Sequence, residues 1–600
     1  MPHESDSTPQ HAYNQAKIDF GFVYGYSGNV QRRYFYFMLL VVFVTSLHTT
    51  VTSKLLQEVE HWCAKPDEIN MTMMQWLNVG IPIREDGSRD PCKMRLEDGS
   101  EVTCTSWVYR KEGSMRGLRD EFDLVCHRRW MTSVIDAVYF IGCITSDPIM
   151  GNAADSYGRH IVMFTGTLMA VVAGFALLFV RELSNFLLCR FVIAIGIEGV
   201  YTIGSVLLIE VADASDRTLV MVASMLSWGI GYLYLWFVGA LVDNWILIHG
   251  TVMIPTLFLC VGLQTVIESP RWLLALDSFD YLELVVFVAA RKNATNLEVA
   301  RERWNLVLQY LKEPVYGAER MKHRLSRQPR LLVVDGYLTM LLRQKNQKML
   351  KAMAILWLSC LVNVYLFFVL WLSLQEATQE WKVLNNDMCA FFADFGSFFV
   401  TCLTINRFGR PRSSAALTFL AGSLALPIML LEGASSILYV VVVLMCTMFL
   451  GSANCILRIH TLELNPTVVR GQGYNYSACF GRLGAILAAI TRSTTIGVPA
   501  AILSRLFISG LCLLNAALLL WLPDTHGRNL PDNFDDVEDI LGSFLAAKGG
   551  HTQMEMFTDT ITVLPKTPES ARRSRGISSE PRALKESSHR RHSRADKMNK

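Results

Sequence analysis

The sequence predicts an all-α, polytopic membrane protein whose twelve transmembrane helices form two pseudo-symmetric six-helix bundles. Three observations predict it. Of 600 residues, 51% are hydrophobic and only 18% are charged, where soluble domains carry about a quarter charged residues. The apolar residues are gathered into runs close to the roughly 20 residues that cross a bilayer as a helix. Two sets of charged motifs then recur about 250 residues apart.

The runs Tyr34–Thr52, Ile161–Val180, Leu219–Val242, Trp245–Ile267, Ala354–Leu374, Ile437–Ile456 and Ala500–Leu522 approach or exceed the spanning length. A soluble core would show amphipathic periodicity instead. Met131–Gly151, Phe186–Ile209, Met388–Ile405, Ser414–Leu431 and Gly473–Ile490 complete the twelve more weakly, because Gly, Ser and charged residues interrupt them. An even count places both termini on one side. Arg32, Arg33, Arg159, Arg217, Arg407, Arg410, Arg412 and Arg470 fall in loops that alternate with others holding little more than Arg181, Lys382 and Arg492. The positive-inside bias makes the first set, and both termini, cytosolic. Met1–Lys17 is polar and lacks the apolar region of a cleaved signal peptide, so the first span serves as the targeting signal.

The chain then divides into a cytosolic N-terminus (1–33), a first six-helix bundle (34–267) with an extracellular loop (53–130), a cytosolic loop (268–351), a second bundle (352–523) and a largely disordered cytosolic tail (524–600). The outer loop holds Cys63, Cys92, Cys104 and Cys126. Four cysteines in an oxidising compartment read as two disulfides with three possible pairings. Asn70-Met71-Thr72 is an N-glycosylation acceptor on the matching side. The acceptor patterns at Asn293 and Asn475 are discounted, since they fall in the cytosolic loop and within a span. The loop 268–351 is rich in Arg and Lys and reads as short helices along the membrane face. From Thr567 the tail is Ser/Arg/Lys-rich and without apolar periodicity. Ser574 and Ser578 there sit among arginines, as candidate phosphorylation sites.

The internal repeat carries the most weight. Asp155-Ser-Tyr-Gly158-Arg159 follows the second span, and Asn406-Arg-Phe-Gly409-Arg410 follows the eighth. Glu210 precedes Arg217 by seven positions after the fourth span, and Glu463 precedes Arg470 by seven after the tenth. Parallel halves related by an axis along the membrane normal are the major facilitator arrangement. Gly158 and Gly409 permit a tight turn between two spans. Arg159 and Arg410 sit at the cytosolic mouth, within reach of Glu210, Glu463 and helix C-termini. The set Asp155, Gly158, Arg159, Glu210, Arg217, Arg410, Glu463 and Arg470 is therefore a candidate cytosolic gate, which would break as the halves rock apart. The same arginines also anchor topology.

Glu121-Phe-Asp-Leu-Val-Cys126, Glu268-Ser-Pro-Arg-Trp-Leu273 and Glu463-Leu-Asn-Pro-Thr-Val-Val-Arg470 resemble the signatures of the organic cation/anion/zwitterion transporter family, a solute carrier family 22-like branch of the major facilitator superfamily. The resemblance runs from about Asp19 to Asp539. It implies facilitated or ion-coupled uptake at the plasma membrane by alternating access, with a large glycosylated, disulfide-bonded outer loop. Asn406 stands where that family often has Asp, His160 replaces a usual Arg or Lys, and Arg458 and His460 occupy positions that are commonly aromatic.

Ionisable groups inside spans are costly, so each is a candidate site. Asp136 and Asp147 lie eleven residues apart in the second span, three turns along nearly the same face. Asp136, Glu198 in the fourth span, Asp394 in the eighth and Arg482 in the eleventh are read as cavity-lining, and Asp147 as an ion pair that steadies packing. Resemblance adds that Asp394 matches a recurrent carboxylate and that Arg482 aligns with the arginine of the anion and carnitine branches. Arg482 suits a substrate carboxylate held bidentately, and Asp136, Glu198 or Asp394 an amine. Tyr232, Trp236, Tyr365 and Phe368 offer aromatic faces to an ammonium.

The expected substrate is a small zwitterionic amine of the carnitine, β-alanine or carcinine kind. A polyspecific organic cation carrier, an organic anion carrier and a non-transporting receptor or scaffold with the same fold are the alternatives. The expected partners are the lipid bilayer, the organic ion and a coupling proton or sodium ion, with no nucleic acid and no cofactor. An enzyme is not expected: there is no G-x-G-x-x-G after a strand, P-loop, H-E-x-x-H or serine elbow, and the outer cysteines fit no zinc spacing.

Overall fold

A computed structural model describes residues 20–56, 59–66, 71–84, 89–95, 100–110, 117–213, 216–312, 337, 341–342, 347–378, 386–425, 436–494 and 498–544. The glycosylation acceptor Asn70, and the tail with Ser574 and Ser578, lie outside them. Twelve long helices follow one another: α1 (Asn29–Thr50), α2 (Met131–Tyr157), α3 (Arg159–Leu177), α4 (Leu183–Val211), α5 (Arg217–Leu241), α6 (Trp245–Leu263), α7 (Lys348–Thr378), α8 (Asn386–Phe408), α9 (Arg410–Ala425), α10 (Ser436–Leu464), α11 (Arg470–Thr494) and α12 (Val498–Leu519). Among the described residues, α1 to α8 and α10 are long and apolar enough to cross a membrane.

The repeat seen in the motifs is also a repeat of packing. Within the first half α1 packs on α4, α5 and α6, α2 on α4, and α3 on α4 and α6. Adding six to each number gives the packing of the second half: α7 on α10, α11 and α12, α8 on α10, and α9 on α10 and α12. The halves meet through α2 against α11 and α5 against α8, each the image of the other. A membrane offers no hydrophobic drive between helices, so small residues that admit close approach set such packing. A Cβ on Gly196 of α4 would stand 2.4 Å from the Gly166 carbonyl oxygen of α3. The helix α4 is accordingly buried at every residue from Gly196 to Val211.

Because consecutive spans alternate in direction, one end of the bundle carries the turns at Gly158 and Gly409, and the other carries the segment between α1 and α2. These are called the paired-turn end and the cap end. The cap contains strands that the sequence reading did not anticipate. β1 (His61–Cys63) pairs antiparallel with β4 (Trp107–Tyr109), and β2 (Lys93–Arg95) with β3 (Glu101–Thr103). Two-stranded ribbons are marginal alone, and here disulfides Cys63–Cys104 and Cys92–Cys126 tie them down, choosing one of the three pairings. Trp76 closes the small core by donating from Nε1 to the Cys63 carbonyl at 3.0 Å.

At the paired-turn end, α6 leads into three further helices outside the repeat, Pro270–Ala275, Phe279–Lys292 and Leu297–Lys312. Ser269 starts the first by accepting from the Trp272 amide at 3.3 Å, with Pro270 at its first position. Asn293 accepts from the Val30 amide (2.8 Å) and donates to the Tyr24 carbonyl (2.9 Å), binding the segment before α1 to this layer.

Candidate functional site

Two constructions cross the interface between the halves: an ionic network at the paired-turn end and a charged centre halfway along the spans.

The network is built on the turn glycines. Gly158 and Gly409 have φ of +112° and +77°, in the region that favours glycine. A side chain there would also collide with a carboxylate, since a Cβ would come 2.6 Å from Glu268 Oε2 and 1.9 Å from Asp524 Oδ2 respectively. Those carboxylates satisfy helix N-termini. Glu268 accepts from the amides of Arg159 and His160 (3.1 Å each), which begin α3. Asp524, at the matching place after α12, accepts from the Arg410 amide that begins α9 (3.1 Å).

From these turns Arg159 and Arg410 reach inward, both buried. Arg159 donates to Glu210 at 3.2 Å and pairs with Asp155 at 3.0 Å. Arg410 holds both oxygens of Glu463, at 3.0 and 2.9 Å, in a bidentate pair. Arg470 of the second half donates to the same Glu210 oxygen at 3.0 Å, so this carboxylate joins the halves. Asp155 makes a second crossing by accepting from the Gly471 and Gln472 amides at the start of α11, at 3.2 and 2.8 Å. Asn406, its counterpart, is exposed, and its side chain makes no hydrogen bond among the described residues. Arg217 donates from Nη1 to the Arg528 carbonyl (3.5 Å) rather than to Glu210. Tyr337 seals the layer, donating to Asn465 Oδ1 at 2.6 Å; burial first, and then the Asp155 charge, push its phenol above the usual range, which keeps it a donor.

The segment after α12 lies across this network. The Pro531 carbonyl accepts from Arg470 Nη2 and the Thr467 amide (3.0 Å each). Asp532 pairs with Arg271 of the first half at 3.3 Å and accepts from Thr467 of the second at 2.9 Å. Thr525 donates to Glu463 at 2.5 Å. No sequence signal marked this segment as part of the site.

The charged centre consists of Glu198 on α4 and Arg482 on α11. Arg482 Nη2 lies 2.7 Å from each Glu198 oxygen. Asp147 is fully buried beside them, within electrostatic range of both, yet neither of its oxygens has a hydrogen-bond partner among the described residues. It is not the steadying ion pair expected from the sequence. Asp136 stands elsewhere. It is exposed towards the cap end, near Thr52 and Arg190, and eleven residues of helix separate it from Asp147 by about 16 Å. Arg190 was missed in the sequence because it lies near the start of its span. It is fully buried, donates to the His48 carbonyl (3.2 Å) and the Thr52 hydroxyl (2.7 Å), and stacks on the Tyr139 ring at 4.5 Å.

Asp394 lies on α8 beside Gly229 of α5, and its Oδ2 is buried without a hydrogen-bond partner among the described residues. Tyr232 of α5 faces Trp371 of α7, with ring centroids 5.9 Å apart across the interface. Trp236, one turn further, is half-buried. Phe368 of α7 meets Phe140 of α2 edge-on at 5.9 Å, and Tyr365 reaches Thr491 at 3.5 Å. Nearer the cap, Lys54 pairs with Asp387 of the second half. The halves therefore touch at both ends, with Glu198–Arg482 between.

Known proteins agree with this architecture. The family profile of the Major Facilitator Superfamily matches residues 130–489. Human organic cation/carnitine transporter 2 is 25% identical over 87% of this chain and 94% of its own. Mouse solute carrier family 22 member 4 is 24% identical over 80% and 87%, and the Drosophila melanogaster organic cation transporter protein 23% over 86% and 93%. A structure of the proton:xylose symporter XylE bound to 6-bromo-6-deoxy-D-glucose superimposes with a TM-score of 0.58 at 14% identity, over 85% of this chain and 99% of that one, which speaks to the fold alone. Repeat, packing and relatives converge: the chain belongs to the Major Facilitator Superfamily and is a solute carrier family 22-like multi-pass membrane transporter of small organic substrates, not an enzyme.

Proposed function

We propose that the chain carries a small organic zwitterion across the plasma membrane by alternating access, with the paired-turn end and both termini in the cytosol. The observation that carries this reading is the Glu198–Arg482 pair, joined across the two halves and flanked by Asp147, which has no hydrogen-bond partner among the described residues. Removing one partner of a buried ion pair costs about 3–5 kcal/mol. A cation that takes Glu198 strands Arg482, and an anion that takes Arg482 strands Glu198. A zwitterion replaces both partners at once: its carboxylate takes the Arg482 fork, and its amine meets the released Glu198 together with Asp147. Glu198 is then the internal stand-in for the substrate's carboxylate, and exchanging partners loosens the link between the halves. The name of the human relative, an organic cation/carnitine transporter, supports the same substrate class.

A second reading, a polyspecific organic cation carrier, is favoured by Asp394. Its orphan oxygen lies on the α5–α8 interface, where Tyr232 and Trp371 supply aromatic faces for an ammonium without disturbing Arg482.

Uptake of radiolabelled L-carnitine, β-alanine, tetraethylammonium and p-aminohippurate into cells expressing the full chain separates these readings. Zwitterion uptake that is lost in Arg482→Ala at normal surface level is the expected result. Tetraethylammonium uptake alone, unchanged by that substitution, moves the assignment to the cation carrier. No flux of any probe favours a receptor.

A further inference from the structure

Arg458 lies on α10, six residues before the end of the helix at Leu464, and is half-buried in the interior. The other interior arginines are provided for. Arg482 has Glu198, Arg159 and Arg470 share Glu210, Arg410 has Glu463, Arg190 has a carbonyl, a hydroxyl and a ring, and Arg217 has the Arg528 carbonyl. Among the described residues Arg458 meets no carboxylate and makes no hydrogen bond; its guanidinium lies over the Tyr201 ring at 5.6 Å. An ionised group at this depth is expensive unless it is paired or lines a polar path, and one aromatic face offsets only part of that cost.

Its height in the bundle gives it a use. Tyr201 follows Glu198 by three residues on α4, which puts both on one face with Tyr201 about 4.5 Å nearer the paired-turn end. Tyr474 of α11, buried, lies within electrostatic range of Arg458, Glu198 and Arg482 together. Two guanidinium groups therefore lie near one tyrosine between the halves, Arg482 at the level of Glu198 and Arg458 on its paired-turn side. Arg482 comes with a built-in carboxylate, and Arg458 does not.

We propose that Arg458 is a second anion station, which takes the substrate's carboxylate on the paired-turn side of the Glu198–Arg482 pair. As that end opens, the carboxylate passes from Arg482 to Arg458 and Glu198 reclaims Arg482, so neither buried charge is left alone during release. The station rests on the zwitterion reading above, and it adds a side-dependence that the reading does not contain: Arg458 sets affinity chiefly for substrate arriving from the cytosol.

The test uses full-length protein in oocytes, measuring uptake of external L-carnitine or β-alanine and efflux of the same compound after injection. Arg458→Gln should raise the ratio of cytosolic to extracellular KM about tenfold, with an intermediate ratio for Arg458→Lys, which keeps the charge and loses the fork. A ratio equal to wild type, or an equal change on both sides at normal surface level, overturns the station and leaves the zwitterion reading intact. If the Gln variant does not reach the surface, the Lys variant decides: a raised ratio supports the station and an unchanged one overturns it. Wild-type protein that carries neither zwitterion overturns both proposals before any variant is made.

Discussion

In the first half of the molecule, the arginine after the turn glycine, Arg159, shares Glu210 with Arg470 of the second half, while Asp155 caps the start of α11 across the interface. In the second half, Arg410 holds Glu463 of its own half and, among the described residues, crosses only to the Thr218 hydroxyl, at 2.7 Å. The motifs are images of each other, and the connections are not. The first cluster binds one bundle to the other. The second is chiefly a brace within its own bundle, reinforced by Thr525 and by His526 against Arg410. A repeat thus preserves the position of charges while partner choice diverges, and one residue, Asn406 opposite Asp155, accounts for a missing crossing.

That asymmetry orders the expected effects of substitution. Glu210→Gln should be the most damaging, because Arg470 loses its carboxylate, Arg159 is left with Asp155 alone, and even one broken buried pair costs about 3–5 kcal/mol. Thermal unfolding of the detergent-purified protein should show the largest fall in Tm, with substrate flux lost. Glu463→Gln should cost less, near the low end of that range at about 3 kcal/mol, since a single guanidinium group loses its carboxylate and Arg410 keeps Thr218 and His526. Equal falls in Tm for the two variants would break the comparison. Asp155→Asn retains an acceptor for one α11 amide and loses the charge at the helix N-terminus; a cost near 1 kcal/mol, visible as a smaller Tm shift, is expected. Asn406→Asp sharpens the comparison from the other side. A carboxylate restored in the second motif should raise Tm, by an amount worth about 0.3–1 kcal/mol, and slow turnover by giving the second cluster a crossing of its own. A lower Tm would show that the place opposite Asp155 cannot take a charge.

Much of this was legible in the chain itself. Apolar run length and alternating arginines gave the spans, and the offset between Asp155 and Asn406, and between Glu210 and Glu463, gave the two halves. Both depend on local sequence. What was not legible depends on which helices meet. Arg159 reaches Glu210 as its place after the turn suggests, yet nothing in the sequence shows that Glu210 also takes Arg470, 260 residues on. Asp136 and Asp147 share a face of α2, yet only Asp147 arrives beside Glu198 and Arg482, because α11 crosses α2 at that height. Arg458 was noticed only as an unusual residue; its solitude is visible once its neighbours are known. The strap through Pro531 and Asp532 carried no sequence signal, since its key contact is a backbone carbonyl.

The central claim is that Glu210 holds the two bundles together at the paired-turn end. It is tested most directly by the distance between spin labels at Tyr157 and Phe408, exposed residues ending α2 and α8 on opposite halves. Pulsed electron paramagnetic resonance should give a short, narrow distribution in the otherwise unmodified chain and a longer, broader one when Glu210→Gln is added. Superimposable distributions would contradict it.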